Sequence, residues 1–265
     1  RPDQAEEELK RCFDLTYYIL STLGLEQDVT YRLSKWDPNN KKKYLGDDEY
    51  WNRTQEALRE VLREKNVPFV EAEGEAAFYG PKIDVQAKNV YGKEDTMCTI
   101  QLDCAIAENF DMYYIDQNGD KKRPYIIRIT SLGCYERTVA WMIEKYAGKF
   151  PTWLCPEQVR VLPISDKYEE YANKVCAELK KNGVDATVDA RSEKIGYKIR
   201  EARLDKLPYM LVVGQQEEAD GTVSVRSRFA GDEGVKPLGE FITAICEEIR
   251  TKTIREEVKE EEQQK

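Results

Sequence analysis

Residues 133–137 combine a turn with a cation that could bind a phosphate. Their sequence is Gly-Cys-Tyr-Glu-Arg, and they lie between a strand-like run and a helix-like run. Backbone N–H groups at the start of a helix attract anions. Arg137, one turn into that helix, could contact a phosphate or lie over a nucleotide ring. The alternative is a surface ion pair of Glu136 or Arg137, since such pairs are common on helices.

Residues 191–200 are the most basic part of the sequence. They include four basic residues and one acidic residue, a local charge of +3 in a chain whose net charge is −9. Ser192 can cap a helix that begins here. Arg226 and Arg228 follow in a later strand-like run. This pattern fits contact with phosphates, and it fits a solvated helix face equally well.

Residues 78–84 and 99–103 suggest a third site. The first segment joins a Gly80-Pro81 turn to Lys82, a combination that any globular protein can use simply as a turn. In the second segment, Gln101 and Asp103 share one face of a strand because side chains alternate along it. That face either binds a ligand or faces solvent.

The chain contains no histidine among its 265 residues. This excludes catalytic pairs that need an imidazole and zinc sites with a histidine ligand. The seven cysteines form no C-x-x-C pair and are odd in number, which indicates a reducing compartment. A metal site of Cys98, Cys104 and Cys134 is an alternative, although these thiols are far apart in sequence.

Charge and hydropathy argue against two classes of protein, strongly basic nucleic-acid binders and membrane-spanning proteins. A net charge of −9 and a pI of about 5.0 argue against a strongly basic nucleic-acid binder, although a local basic patch can still bind. Apolar runs are only a few residues long, so neither a signal peptide nor a membrane span is predicted. We therefore expect a cytoplasmic protein without a membrane partner.

The first half of the sequence predicts helices around a small sheet. Apolar residues at three- and four-residue spacing predict a helix over 3–24, and Asp47 and Asp48 mark the start of a second helix. Strand-like runs follow over 67–130, with an Asn-Gly hairpin signal at 117–120, and then a helix over 131–148. This order predicts an antiparallel sheet flanked by helices.

A segment with two prolines, 150–156, predicts a domain boundary. Strand and helix patterns alternate after it, which predicts a small α/β domain with a mostly parallel sheet. We therefore expect domains over 1–152 and 153–255, and a charged tail over 256–265 that frays.

Several segments together resemble the C-terminal half of bacterial threonyl-tRNA synthetases, which are class II aminoacyl-tRNA synthetases. The segments are 79–83, 99–103, 133–137, 153–156, 191–200 and 208–214. This resemblance implies the rear part of a class II catalytic domain on an antiparallel sheet, followed by an anticodon-binding domain. It also implies the family's reaction, in which ATP activates threonine for transfer to tRNA.

The resemblance implies two sets of site residues. The positions that line the threonine and ATP site are Tyr79, Lys82, Gln101 and Arg137. In the family the arginine stacks on the adenine and contacts the phosphates. The positions that face the anticodon loop are Lys194, Arg200, Glu217 and Arg226. The last two would read exposed base edges of a single-stranded loop.

The chain departs from the family at the metal site. The family uses Mg²⁺ with ATP and binds zinc through one cysteine and two histidines. The third zinc-ligand position is Arg128 here, followed by Ile129, and Cys104 stands where the family usually has phenylalanine. Arginine is permanently protonated and has no lone pair for a metal. We therefore expect no metal or other cofactor in this chain.

The first two class II motifs are also missing, and with them the interface of the family's homodimer and the arginine that holds the α-phosphate. Two hypotheses follow. In one, the chain is a truncated piece or variant of a threonine–tRNA ligase that is inactive alone. In the other, it is a non-catalytic paralogue that binds tRNA or another RNA, or an engineered scaffold. The changes at Cys104, Arg128 and Ile129 would then stabilise a surface exposed by truncation. The oligomeric state stays open.

Overall fold

Two helices and a five-stranded sheet form most of the first part of the chain. The computed structural model describes residues 1–103 and 105–256, and the chain divides into a first unit, Arg1–Glu144, and a second unit that begins at Lys145. Cys104 and residues 257–265 of the predicted tail lie outside the described residues. The elements up to the division, which falls within the last helix, are α1 (Ala5–Thr22), β1 (Val29–Lys35), α2 (Asp48–Glu64), β2 (Phe69–Glu73), β3 (Lys82–Lys88), β4 (Glu94–Asp103), α3 (Ile106–Asn109), β5 (Tyr114–Ile115), β6 (Lys121–Lys122), β7 (Ile126–Ile129) and α4 (Tyr135–Tyr146).

The two long helices form because their apolar residues recur on one side. α1 buries Leu9, Phe13 and Leu20. α2 begins after Asp47, whose side chain accepts a hydrogen bond from the backbone N–H of Tyr50 at 2.8 Å. This cap confirms the predicted start of the second helix. α1 contacts β4 and β7, and α2 contacts β1 and β3.

The sheet of the first unit has the strand order β2-β1-β3-β4-β7. Three of its pairs are antiparallel, as predicted, but β1 and β2 pair in parallel. α2 connects these two strands, and a helical crossover of this kind joins parallel neighbours. The run 112–115, one of the strand-like runs predicted over 67–130, does not join this sheet. β5 pairs instead with β6 in the predicted Asn-Gly hairpin.

Glu71 connects the edge strand β2 to α2 and β1 through ion pairs. Its carboxylate accepts a hydrogen bond from Arg59 Nε at 2.7 Å and lies 2.9 Å from Lys35 Nζ. The hydrogen bond from Arg59 lowers the pKa of Glu71 from 4.5 to about 2. A carboxyl group whose pKa is lowered by folding stabilises the fold above its unfolded pKa. That contribution is lost as the pH falls through the folded value.

We therefore expect Glu71→Gln to lower the free energy of unfolding at pH 7 by about 0.2–1 kcal/mol, the range for exposed ion pairs. The loss should be smaller at pH 3, because part of the contribution has then already gone. Urea unfolding at both pH values measures it, with Glu73→Gln on the same strand as the control. An equal loss at both pH values would contradict the ion-pair explanation.

The second unit is a five-stranded sheet with helices on both faces. Its elements are β8 (Val159–Pro163), α5 (Glu169–Lys181), β9 (Ala186–Val188), α6 (Ile195–Leu204), β10 (Tyr209–Val213), α7 (Gln215–Asp220), β11 (Thr222–Ser227), β12 (Gly231–Pro237) and α8 (Leu238–Arg250). The strand order is β12-β11-β10-β8-β9. α5 and α8 bury Val175 and Phe241 against one face, and α6 packs Ala202 against Leu162 and Met210 on the other.

This second sheet is mixed, whereas the alternation of elements predicts a mostly parallel one. β8 pairs in parallel with β9 and β10, but β10–β11 and β11–β12 are antiparallel. The sequence pattern predicts neither α7 nor β12. α7 buries none of its residues and so has no apolar periodicity, and β12 contains two glycines, which are depleted in strands. Within residues 1–103 and 105–256, no helix is long and apolar enough to cross a membrane.

Candidate functional site

The sheet of the first unit has one apolar face and one polar face. The apolar face includes the fully buried side chains of Leu33 and Ile83. On the other face, Lys82 of β3 lies opposite Gln101 of β4, and Gln101 lies opposite Arg128 of β7. Residues directly opposite each other in an antiparallel pair point to the same side. The strand register therefore brings three of the residues selected from the sequence into one row.

A buried carboxylate anchors this row. Asp84 is fully buried, and it accepts hydrogen bonds from Ser34 Oγ at 2.7 Å, Lys82 Nζ at 2.6 Å and Thr99 Oγ1 at 3.0 Å. Arg32 Nη2 donates a further bond at 3.3 Å. Proteins tolerate a buried charge when it is paired and hydrogen-bonded. Asp84 therefore fixes the ammonium of Lys82, whose side chain remains 19% exposed on the polar face.

Tyr79 joins the row from the loop before β3. Its hydroxyl donates to Gln101 Oε1 at 2.9 Å, and its carbonyl oxygen accepts from the hydroxyl of Tyr50 at 2.7 Å. The next residue, Gly80, approaches β4 so closely that an added Cβ would lie 2.0 Å from the carbonyl oxygen of Leu102. Only glycine fits such an approach. The Gly80-Pro81 turn therefore also places Tyr79 against Gln101.

Arg128 completes the row at the edge strand β7. Its Nη2 donates to Asp103 Oδ2 at 2.9 Å, and its guanidinium carbon lies 4.5 Å from the centroid of the Tyr79 ring. Asp103 is fully buried and also accepts hydrogen bonds from the backbone N–H groups of Ala105 and Ile106, each at 3.0 Å. The alternative that Asp103 simply faces solvent is therefore wrong.

The residues of this row do not fit the zinc ion that the resemblance implies. Arg128, at the third ligand position, already contacts Asp103 and Tyr79, and a guanidinium has no lone pair for a metal. In the described ranges, no three histidine, cysteine, aspartate or glutamate side chains gather where they could hold a metal ion. Ile129, the second substituted position, lies opposite Ile100 on the apolar side of the sheet.

The alternative cysteine site gains no support from the two thiols that are described. Cys98 is buried opposite Val85 on the apolar side, and burial raises the pKa of its thiol to about 12. A thiol with a raised pKa is a poor source of the thiolate that binds metals. Cys134 is exposed and donates to Glu136 Oε2 at 3.0 Å. The third thiol, Cys104, lies outside the described residues.

Arg137 lies near the first residues of β4, whereas Gln101 lies near its last residues. Its Nη1 donates to the carbonyl oxygen of Thr96 at 2.6 Å, a backbone contact in place of the surface ion pair considered above. Thr96 Oγ1 accepts a hydrogen bond from Gln86 Nε2 at 2.7 Å. Thr96 and Gln101 are five positions apart, about 17 Å along an extended strand. We call the polar side chains between these two ends the polar track: Lys82, Asp84, Gln86, Thr96, Thr99 and Gln101.

The basic segment 191–200 exposes fewer available cations than its sequence suggests. Lys198 is only 2% exposed and donates to the carbonyl oxygens of Pro163 at 3.2 Å and Asp189 at 2.9 Å. Arg191 donates two hydrogen bonds to the carboxylate of Asp189, at 2.9 and 2.7 Å. The helix N-cap is Lys194, not the predicted Ser192. Two of the four cations in the segment therefore have structural partners.

The other two cations, Lys194 and Arg200, are exposed on the α6 side of the second unit. α6 packs there over Met210. Arg226 of β11 lies opposite Met210 of β10, so it points to the same side of the sheet. Its Nη2 donates to Asp232 at 2.6 Å, and its side chain remains 30% exposed. Lys194, Arg200 and Arg226 therefore share one side of the second unit.

Glu217 and Arg228 have contacts that stabilise the fold. Glu217 is half-buried in α7, and its Oε2 accepts a hydrogen bond from the backbone N–H of Gly214 at 2.9 Å. Arg228 donates to the carbonyl oxygens of Lys206 at 2.5 Å and Phe150 at 2.7 Å. Arg228, considered above as a further phosphate contact, is thus occupied with backbone carbonyls.

Asp84 is the main site residue that the sequence reading does not single out. Its signal is present, since Lys82 and Asp84 alternate on one strand and Thr99 and Gln101 on the next. The other half of the cluster comes from Ser34, 50 positions earlier. Only the pairing of β1 with β3 brings these groups together, and no local pattern specifies that pairing.

The two units match two known families. Residues 1–146 match the tRNA synthetase class II core domain (G, H, P, S and T), and residues 158–248 match the anticodon binding domain. A solved structure of similar fold is the RNA binding domain of threonyl-tRNA synthetase from Cryptosporidium parvum. It has a TM-score of 0.84 at 34% identity, over 93% of this chain and 61% of that one.

The curated relatives that are similar to this chain are threonine–tRNA ligases. The threonine–tRNA ligase of Clostridium perfringens is 58% identical over 248 residues, which are 94% of this chain and 39% of that protein. That of Geobacillus kaustophilus is 44% identical over 256 residues, which are 96% of this chain and 39% of that protein. The chain thus spans 39% of the length of these relatives.

Proposed function

We propose that this chain, which belongs to the class II aminoacyl-tRNA synthetase family, binds threonine tRNA through its second unit. Over its length it corresponds to the C-terminal region of threonyl-tRNA synthetases, a class II core segment followed by an anticodon-binding domain. The observation that carries the proposal is the position of Lys194, Arg200 and Arg226 on one side of the second unit.

Binding is local in this proposal, because the chain as a whole is acidic. A cluster of cations can attract phosphates even on a protein whose net charge is negative. Lys194 and Arg200 would contact backbone phosphates, which provide affinity without sequence information. Arg226 and Glu217 would hydrogen-bond to edges of unpaired bases in the anticodon loop, and these contacts would provide specificity.

We expect Arg226→Ala to weaken binding of threonine tRNA by about 5- to 150-fold, the effect of losing one good base contact. Arg250→Ala is the matched control, because Arg250 is exposed and pairs with Glu247 on α8, which packs on the opposite face of the sheet. Filter binding at one fixed salt concentration compares the three proteins. Equal affinity of Arg226→Ala and the unchanged chain would contradict the proposal.

The polar track favours a second candidate function, the activation of threonine with ATP. Lys82 and Arg137 lie toward its two ends and could neutralise phosphates, while Tyr79 and Gln101 could hold a small polar ligand. Arg128, at the position where the resemblance implies a zinc ligand, donates to Asp103 instead, which argues against selection of threonine by zinc. We therefore expect the chain alone to be inactive.

ATP–pyrophosphate exchange with threonine separates the two candidates. Background exchange by a preparation that binds threonine tRNA supports the RNA-binding function alone. Robust, threonine-dependent exchange by this chain would establish the second candidate and would show that Arg128 does not abolish activation.

A further inference from the structure

An exposed tyrosine lies between the two available cations of α6. Tyr197 is 46% exposed, and its backbone N–H donates to the carbonyl oxygen of Lys194 at 2.8 Å. Arg200 follows three positions later, and residues three apart are neighbours on a helix surface. The first turns of α6 therefore present an aromatic ring between two cations that point to solvent.

The surroundings of this ring are held in place by hydrogen bonds. The guanidinium carbon of Arg191 lies 5.9 Å from the centroid of the Tyr197 ring. Asp189 fixes that guanidinium with two hydrogen bonds, and the buried Lys198 ties the carbonyl oxygen of Asp189 to α6 at 2.9 Å. A surface that is rigid before binding loses less conformational freedom when a ligand arrives.

Space for a ligand lies beside Arg191, whose guanidinium carbon is 5.9 Å from the centroid of the ring. A cavity of about 520 Å³ is lined in part by Asp189, Arg191 and Glu201. Glu201 lies one helical turn after Tyr197, on the same side of α6. A base that leaves the stack of an RNA loop and lies on the Tyr197 ring could extend past Arg191 toward this cavity, where carboxylate oxygens accept hydrogen bonds.

Exposure alone does not distinguish Tyr197. Tyr17 is 45% exposed on α1, but its helical neighbours are Phe13, Asp14, Leu20 and Ser21, none of which is a cation. The combination of an exposed ring with flanking cations is typical of surfaces that bind single-stranded RNA, where bases stack and phosphates pair with cations.

We propose that Tyr197 is a stacking platform for an unpaired base of the anticodon loop, with Lys194 and Arg200 on the neighbouring phosphates. This inference rests on the proposed function and adds the residue that would bind the face of a base. Arg226 would donate hydrogen bonds to base edges, and the carboxylate of Glu217 would accept them.

The test measures affinity for an RNA stem-loop with the sequence of the threonine tRNA anticodon arm. Tyr197→Ala and Tyr197→Leu are expected to weaken binding by about 5- to 150-fold, the range for losing one stacked base. Tyr197→Phe keeps the ring and should bind within about 2-fold of the unchanged chain. Tyr17→Ala, with matched exposure, and Leu204→Ala, 64% exposed on the same helix, are the controls.

The salt dependence of binding adds a readout that a purely structural role would not give. Loss of a stacking ring should leave the slope of affinity against salt unchanged, whereas Arg200→Ala should reduce it by about 1. Unchanged affinity in Tyr197→Ala, with Arg226→Ala weakened, would overturn this inference and leave the proposed function intact. Equal loss of affinity in Tyr197→Phe and Tyr197→Ala would mean that the hydroxyl group, and not the ring, contacts the RNA, and would contradict stacking. Failure of the unchanged chain to bind the stem-loop would overturn both.

Discussion

Gly133→Ala is expected to lower the free energy of unfolding of the first unit by about 4 kcal/mol or more, at the upper end of single substitutions. Gly133 has a φ of 65°, and an added Cβ would lie 1.7 Å from the carbonyl oxygen of Met97. The carbonyl belongs to the backbone and the position of a Cβ is fixed by the backbone, so rotation of a side chain cannot relieve the clash. Either β4 or the start of α4 must move.

Gly92→Ala is the matched control for this substitution. Gly92 has a φ of 77°, but nothing lies within 4 Å of an added Cβ. This variant should therefore show only the strain of a left-handed alanine, about 1–2 kcal/mol. Urea unfolding followed by far-ultraviolet circular dichroism compares the two variants. Equal losses would mean that φ alone explains Gly133 and that its close contact with Met97 is unimportant.

Asp84→Asn is the second substitution with a large expected effect, a loss of about 2–4 kcal/mol. Removing one partner of a fully buried ion pair costs about 3–5 kcal/mol, because the remaining charge is left without compensation. Here the remaining charges, Lys82 and Arg32, keep 19% and 23% of their side-chain exposure, which reduces the effect. The carbonyl oxygen of asparagine could still accept the hydrogen bond from Ser34, and its NH₂ group could donate to the Thr99 hydroxyl, so the loss should report mainly the missing charge.

Thr99→Val separates charge from hydrogen bonding at the same carboxylate. It removes one 3.0 Å hydrogen bond to Asp84 and changes no charge, so we expect a loss of about 1 kcal/mol. Asp120→Asn, at an exposed position in the hairpin, should be close to neutral. If Asp84→Asn were no more damaging than Thr99→Val, the ion pairs with Lys82 and Arg32 would not contribute to stability.

The sequence predicts the long helices well because their signals are local. Asp47 precedes an apolar repeat, and a carboxylate can cap such a helix whatever the rest of the chain does. The parallel pairing of β1 with β2 and the hairpin position of β5 depend instead on which distant segments meet. α7 has no apolar pattern to detect, since its helix is fixed by Gly221 and by the hydrogen bond between Gly214 and Glu217.

The candidate sites show the same division between local and distant signals. Alternation along a strand places Gln101 and Asp103 on one face, but solvent and ligand remain equal alternatives until Arg128 is known to cover Asp103. The sequence pattern predicts that Lys198 is a surface cation. It is buried, because its ammonium donates hydrogen bonds to the carbonyl oxygens of Pro163 and Asp189. Such contacts follow from strand order, which composition and spacing do not specify.

A change of anticodon tests whether the second unit reads the anticodon of threonine tRNA. The most direct test compares the affinity of the whole chain for two transcripts at one salt concentration. One is threonine tRNA, and the other has the same body with an unrelated anticodon. Since a mismatched base typically costs about 1–3 kcal/mol in specific nucleic-acid complexes, we expect at least 10-fold tighter binding of the unchanged transcript. Equal affinities would mean that Lys194, Arg200 and Arg226 contact only phosphates, and would contradict anticodon recognition.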